Sequence, residues 1–406
     1  MTTEARTAPE RGMLHCPFDY QQALEFDPSL RWLREEAPVA RITMPYGDGW
    51  AWLVTRYEDV RFVVTDGRFS RAAGIGRDLP RMTPEPIAQA DAINLMDPPE
   101  HTRLRRLAAQ GFTAAQMERM APKVRAIVDR LVDGLAAHGA PADFAGLFAA
   151  HLPMAAICEV MAIPTADQPR IRRLVLAMMS TDGAARAARE AKAALRAYFL
   201  DLAAQRRTRP GTDLISALAA VQDGGEPTGL TEQAVLAMVL TIGGHDQLTY
   251  ELSNVLYTLL THPAQLALLR SRPDLLEPAV EELLRFIPFR RGVGTTRIAT
   301  EDVELGGVTI RAGEPVHVSY LAANRDPRMF PNPDELDLQR RHVQHMAFGH
   351  GNHYCAGASL ARLELRIALE TLLARFPRLR LAVPAADIPW HTGSIWRYPE
   401  RLPIAW

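Results

Sequence analysis

The chain has 406 residues, 48% of them hydrophobic and 23% charged, with a formal net charge of -1. That balance describes a globular protein of one large domain or two modest ones, and near-zero net charge offers no electrostatic handle on nucleic acid. Its three cysteines, Cys16, Cys158 and Cys355, lie far apart, which argues against a disulfide framework and for a reducing compartment.

The opening stretch, MTTEARTAPERGMLHCPFD, is polar and has no apolar run long enough for a signal peptide or a membrane span. We expect a cytoplasmic protein with no membrane contact, led by a largely disordered or extended segment over residues 1–27. A short helix, SLRWLREEAP, follows, then two strands, VARITM and WAWLVT, across the turn YGDG, and a second helix, RYEDVRFVVTD. From Arg68 to Ala92, Gly74, Gly76, Pro80, Pro84 and Pro86 break any period. A loop of that length is either functional or a variable surface excursion. HTRLRRLAAQ predicts a helix with His101 and Arg105 on one face, able to pair with a carboxylate, while Arg103 and Arg106 read as a solvated stripe.

From about Ala121 to Arg207 the pattern is almost wholly helical, broken at His138 to Ala142 and at Pro164. The Met-rich VLAMMSTDG reads either as core filling or as a flexible pocket wall. LTEQAVLAMVLTIGGHDQLTYELSNVLYTLLTHP is the longest periodic segment. Gly243 and Gly244 inside it cost roughly 1 kcal/mol each against alanine, so something must offset them. Downstream, PDLLEPAVEELLRFIPF sets Glu282 and Arg285 at i and i+3. FRRGVGTTR predicts an extended segment in which Arg290 and Arg291 cannot both point inward, because side chains alternate. A hairpin turning at Gly306 and Gly307, a Pro-rich meander, ANRDPRMFPNP, and short final strands in WHTGSIWRYPERLPIAW complete the chain.

FGHGNHYCAG, residues 348–357, brings one cysteine, two histidines and three glycines together just ahead of the helical SLARLELRIALETLLARF. Cys355 is thus expected in a tight loop at a helix N-terminus, where amide N–H groups and the helix dipole favour thiolate. An inert buried cysteine leaves the glycines and Phe348 unexplained. Zinc held by His345, His350, His353 and Cys355 lacks the second ligand cluster that structural zinc sites show. A c-type haem needs CxxCH, which is absent. The third reading is haem iron held by one axial cysteine, with Phe348 packed beside the sulfur and His353 pointing at a propionate.

The string matches the cysteine-ligand signature of the cytochrome P450 family, F-G-x-G-x-[HR]-x-C-x-G, at every fixed position, and the chain resembles that family from about residue 28 to 406. The resemblance implies a mainly α fold with a small β lobe, forming one haem-thiolate domain over 28–406 behind the 1–27 lead-in. It implies haem b, iron protoporphyrin IX, with Cys355 as the metal ligand and His101, Arg105, Arg297, Phe348, His353 and Gly357 around the cofactor. Glu282, Arg285 and Arg340 match the family's buried structural network. Phe289, Arg290, Val293, Ile395 and Trp396 fall on its substrate pocket, and the loop from Arg68 to Ala92 falls on its substrate cover.

The long periodic segment matches the family's central helix, where Gly243 and Gly244 open a groove for oxygen and Asp246 is the acid of an acid–alcohol pair. Gln247 replaces the alcohol, threonine. Thr249 sits about 200° round the helix from Gln247 and cannot substitute. Proton delivery should then run through water or substrate, a departure shared with members that couple aromatic rings or build cross-links. The expected activity is O2-dependent oxidation of a small-molecule natural product, by hydroxylation or by C–C or C–N coupling; Trp390, Trp396 and PERLPIAW give a further, weaker likeness to members acting on cyclic dipeptides. With no flavin or nicotinamide fingerprint in the chain, electrons from NAD(P)H are expected through a ferredoxin and a ferredoxin reductase, docking near the cysteine loop with Arg103, Arg106 and Arg362 as rim charges. A non-catalytic haem sensor or carrier is the competing class.

Overall fold

Asp27 caps the first helix: its carboxylate accepts a hydrogen bond from the Ser29 N–H at 2.7 Å, and Pro28 supplies a preset φ at the first position. The computed structural model describes residues 13–16, 23–83, 92–179, 185–220, 222–223, 226–227, 229–290, 293–391 and 394–406. In chain order its helices are α1 (Pro28–Glu36), α2 (Tyr57–Thr65), α3 (Glu100–Ala109), α4 (Ala114–His138), α5 (Leu152–Met161), α6 (Gln168–Met179), α7 (Ala185–Thr208), α8 (Leu214–Ala220), α9 (Leu230–Thr261), α10 (Pro263–Ser271), α11 (Leu276–Phe286), α12 (Tyr320–Ala323) and α13 (Ala358–Arg375). Of the lead-in expected to be disordered or extended, residues 1–12 and 17–22 lie outside the described residues, as do Arg291 and Gly292, while Leu14–His15 forms a short strand.

A six-stranded sheet forms the β lobe, in the order Leu14–His15, Val39–Thr43, Ala51–Val54, Pro315–Val318, Arg297–Ala299, Phe69–Ser70. Val39–Thr43 and Ala51–Val54 pair antiparallel, as the turn between them requires, whereas Pro315–Val318 joins the far side of Ala51–Val54 in parallel, with Val316 opposite Trp52. That parallel pairing brings residues more than 250 apart into register, which no local pattern could announce. The predicted hairpin forms between Val303–Leu305 and Val308–Ile310, with Gly306 and Gly307 at φ 59° and 83°, a turn that needs glycine.

The remaining helices build the larger lobe around α9, which α5, α7, α8, α10, α11 and α13 all contact. Its core is a continuous apolar cluster running from Leu104 on α3 through Leu252 and Leu256 on α9 to Leu369 on α13. Among the described residues no helix is long and apolar enough to cross a membrane.

Where the lobes meet, the predicted ion-pair network is buried. Arg285 grips Glu282 with two parallel hydrogen bonds, Nε to Oε2 at 2.7 Å and Nη2 to Oε1 at 2.8 Å, and both side chains are fully buried. Arg340 donates to the same Glu282 Oε2 at 3.0 Å, and Arg285 Nη1 also donates to the carbonyls of Asn324 and Pro333. One carboxylate therefore ties α11 to the proline-rich meander that precedes the cysteine loop. Removing one partner of a buried pair leaves the other charge uncompensated, at a cost of roughly 3–5 kcal/mol. Glu282→Ala is expected to lower the urea midpoint by that equivalent and to weaken haem retention; an unchanged midpoint would show that the network is not structural.

Candidate active site

Cys355 alone among the three cysteines is exposed, while Cys16 and Cys158 are buried in the core. Its loop is closed by the Cys355 N–H donating to the Phe348 carbonyl at 2.8 Å, and by the Gly349 N–H donating to Met346 at 2.9 Å. Gly349 and Gly351 take φ of 73° and 71°, and a Cβ on Gly351 would stand 2.8 Å from the Val64 carbonyl oxygen. Glycine is thus required there both by conformation and by the close approach of α2. Gly357 has an ordinary φ of -88°, and its N–H hydrogen-bonds the sulfur.

The sulfur sits at the bottom of a recess, and burial pushes the Cys355 thiol up from its ordinary value, against the opposing pull of the Gly357 N–H and of the Arg105 and Arg362 charges. The sequence expectation of a depressed thiol is therefore reversed: protein walls outweigh the helix terminus. A metal that binds this sulfur must displace its proton. His345, one of the possible zinc ligands, is engaged elsewhere, with Nε2 3.1 Å from Glu281 and Nδ1 accepting from the Ala347 N–H. Among the described residues no group of three or more His, Cys, Asp and Glu could hold a metal ion.

Beside the loop, His101, Arg105, Arg297 and His353 converge, joined by Arg71. The His101 and His353 rings lie 4.1 Å apart. Burial, and then the charges of Arg71, His101, Arg297 and Arg105, drive the His353 imidazole down to about 2. Burial and then Arg297 bring the Arg71 guanidinium down to about 9. The nearby carboxylate, Asp97, is taken up by the Ser70 hydroxyl and the Arg71 N–H. Arg71 Nε, His101 Nδ1 and Arg297 Nη2 are buried with no hydrogen-bond partner. So much positive charge with unfilled donors calls for anionic groups brought in from outside. The two propionates of haem b would meet that need and Cys355 would offer its sulfur to the iron, so the residues present fit the cofactor.

Between Glu232 and Thr261, on a helix wrapped by neighbours, only Gly243 and Gln247 are exposed. They are one turn apart on one face, so α9 opens inward there. A Cβ on Gly243 would meet nothing within 4 Å, whereas one on Gly244 would press to 2.9 Å from Ile157 on α5. Gly243 leaves the opening; Gly244, expected to share that task, instead lets α5 pack against α9. Asp246 is turned away from the open face: it is buried, and its Oδ2 accepts from Trp396 Nε1 at 3.2 Å. The Thr249 hydroxyl donates to the His245 carbonyl at 2.9 Å.

Along the same stripe, Val235 and Val239 line a cavity of about 420 Å³ faced by Ile93, Met96 and Leu104, with Glu232 and Arg196 as polar members. This cavity was not foreseen. Of the expected pocket residues, Phe289 and Trp396 stack at 4.7 Å with an interplanar angle of 11°, Arg290 lies over the Trp396 ring at 5.1 Å, and half-buried Ile395 adjoins them in the chain. Val293 belongs elsewhere: it is 3% exposed and packs in the β-lobe core with Leu30, Leu33 and Leu53.

The segment 266–380 matches the cytochrome P450 family. The chain is 47% identical to nocardicin C N-oxygenase of Nocardia uniformis subsp. tsuyamanensis over 96% of its own length and 98% of that protein's. The chain belongs to the cytochrome P450 family. Biflaviolin synthase of Streptomyces coelicolor is 44% identical to this P450 over 94% of this chain and 93% of that protein. The crystal structure of a cytochrome P450mel described as having biaryl coupling reactivity superposes with a TM-score of 0.92 at 56% identity, covering 97% of this chain and 100% of that one. This P450 is accordingly a haem-thiolate oxidoreductase, and the family's cofactor supplies O2 activation with electrons from NAD(P)H delivered by redox partners.

Two of the expected rim charges are committed inside the P450. Arg103 binds Glu100 and Glu232, tying α3 to α9 beside the cavity. Arg362 is held by Glu281 at 2.6 Å and 2.8 Å and lies over the Phe348 ring at 4.6 Å. Arg106 is exposed. Arg71 was missed because it stands alone in an irregular loop with no period to mark its direction.

Cys355→Ser is expected to abolish the long-wavelength carbon-monoxide Soret band while some haem remains bound; persistence of that band would remove Cys355 as the ligand. Because Arg105 and Arg362 favour the thiolate, acidification should convert the carbon-monoxide complex to a neutral-thiol form, and Arg105→Leu should move that midpoint to higher pH. A shift to lower pH, read in a spectral titration, would contradict the assignment.

Proposed function

We propose that this P450 acts in secondary metabolism on a planar phenolic natural product, with residues 28–406 working as one haem-thiolate domain, and that its principal reaction is oxidative coupling of aromatic rings. Gln247 on the open face of α9 carries the reading. A threonine hydroxyl in that place can pass a proton on, whereas the Gln247 amide keeps its own hydrogens and orders water or substrate. A phenol brings its own exchangeable proton to the same face. The likeness to P450mel and to biflaviolin synthase supports this choice over N-oxygenation and hydroxylation, the reactions named for other relatives. A non-catalytic haem sensor is not favoured, since those relatives are enzymes.

The balance is two aryl C–H bonds broken and one aryl–aryl bond formed. The two hydrogens lost, with two electrons and two protons from NAD(P)H and solvent, reduce O2 to two waters. The chain's own part is to bind and orient: Val235, Val239, Ile93 and Met96 offer apolar walls to the cavity, and Gln247, about two turns further along the same stripe of α9, positions the polar edge. Electrons would come through a ferredoxin and its reductase on the cysteine-loop side, where Arg106 remains available to an acidic partner.

Incubation with naphthols and related planar phenols under isotopically labelled O2, with reconstituted ferredoxin and reductase, tests the proposal. The expected product is a dimer two hydrogens lighter than its two precursors and free of label; label in the main product would replace coupling by oxygen insertion. Gln247→Thr should change the fraction of electrons reaching product by at least about threefold, roughly the effect of one hydrogen bond; an unchanged fraction would remove Gln247 from the proton path.

A further inference from the structure

Asp246, Tyr250 and Asn254 are spaced four residues apart on α9, one stripe about 100° from the open Gly243–Gln247 face. Each engages the C-terminal turn. Asp246 Oδ2 accepts from Trp396 Nε1 at 3.2 Å, in a site where Asp246 is 5% and Trp396 8% exposed. Tyr250 adds a side-chain hydrogen bond to the same carboxylate, and its ring stacks on Tyr398 at 3.9 Å and 12°. Asn254 Nδ2 donates to the Arg397 carbonyl at 2.8 Å, and the Arg397 N–H donates to the Phe289 carbonyl at 2.9 Å. Three consecutive turns of the helix thus hold three consecutive residues of a turn that arrives from the far end of the chain.

We propose that Asp246 is a positioning residue for substrate recognition and not a proton donor: its carboxylate fixes the Trp396 indole, and through it the Phe289–Trp396 wall. Without that acceptor, a buried indole N–H would be unpaired and the ring would be driven to turn toward another partner. Arg290, which lies over the Trp396 ring, is also one of the charges that lower the Arg71 guanidinium, which puts the wall on the side of the charge cluster. Trp396 also lies in an antiparallel bridge with Arg290, so the indole's tilt and the path of the Phe289–Arg290 segment are set together. Phe289 and Trp396 present near-parallel rings, a surface whose edge position decides which flat groups can lie beside it.

The test uses the haem-loaded enzyme and two azole probes, 4-phenylimidazole and imidazole, titrated by the Soret shift. It is independent of the natural substrate and of whether coupling or hydroxylation is the outcome. Asp246→Ala should weaken 4-phenylimidazole about tenfold, the worth of a hydrogen bond to a charged acceptor, with imidazole changed less than twofold. Asp246→Asn, which keeps an acceptor oxygen, should restore most of the lost affinity. Trp396→Phe, which keeps a flat ring but lacks the N–H, should behave like Asp246→Ala, and the double variant should be no worse than either single one. Equal affinity in all variants would overturn the proposal. So would a loss in Asp246→Asn as large as in Asp246→Ala, or a collapse of reductant consumption in Asp246→Asn with wild-type azole binding, which would return the carboxyl to proton transfer. Should Asp246→Ala fail to take up haem, the Asp246→Asn and Trp396→Phe pair alone decides between these results.

Discussion

A sulfur has to be presented at the base of a recess without leaving the surrounding backbone unsatisfied, and most of the site follows from how that is done. The Cys355 N–H is consumed by the Phe348 carbonyl and the Gly357 N–H by the sulfur, so the loop is internally paired while the side chain stays accessible. Such a tight path depends on positive φ at Gly349 and Gly351 and on the nearness of α2 behind Gly351. Burial then works against the thiolate, and Arg105 and Arg362 work for it. The protein alone leaves the proton on; a bound iron's charge would be needed to tip the balance.

Charge organises the rest of the recess. Arg71, His101, Arg105, Arg297 and His353 come from four separate parts of the chain, and the guanidinium charges repel one another and hold both imidazoles neutral. The stability lost to that repulsion has to be carried by packing elsewhere, and the buried Glu282–Arg285–Arg340 network shows where the frame is stiffened: it holds the meander leading into the cysteine loop against α11. Cofactor binding and folding are therefore expected to be coupled, each lowering the cost of the other.

The central helix divides its work by face. One stripe, Val235, Val239, Gly243 and Gln247, faces open space; the adjacent one, Asp246, Tyr250 and Asn254, holds the C-terminal turn; Gly244 packs on α5. A single residue of rotation, about 100°, separates an opening for chemistry from a structural seam. This is why two neighbours, Asp246 and Gln247, that read as one functional unit in sequence occupy different environments in space.

The sequence by itself determined what depends on local spacing: the helices and the early strands, the glycine-dependent cysteine loop, the hairpin at Gly306–Gly307, and the Glu282–Arg285 pair at i and i+3. The match at FGHGNHYCAG carried the cofactor and the family with it, because a tight loop of that kind tolerates few alternatives. Only the tertiary structure decided directions that depend on distant neighbours. Asp246 turned to Trp396, 150 residues away, and Val293 went into the β-lobe core. Arg103 and Arg362 turned inward to carboxylates on other helices, and Arg71 joined the charge cluster. Periodicity tells which side of an element is apolar; it says nothing about which partner a polar side chain will meet, since that is settled by packing and by the need to satisfy each buried charge.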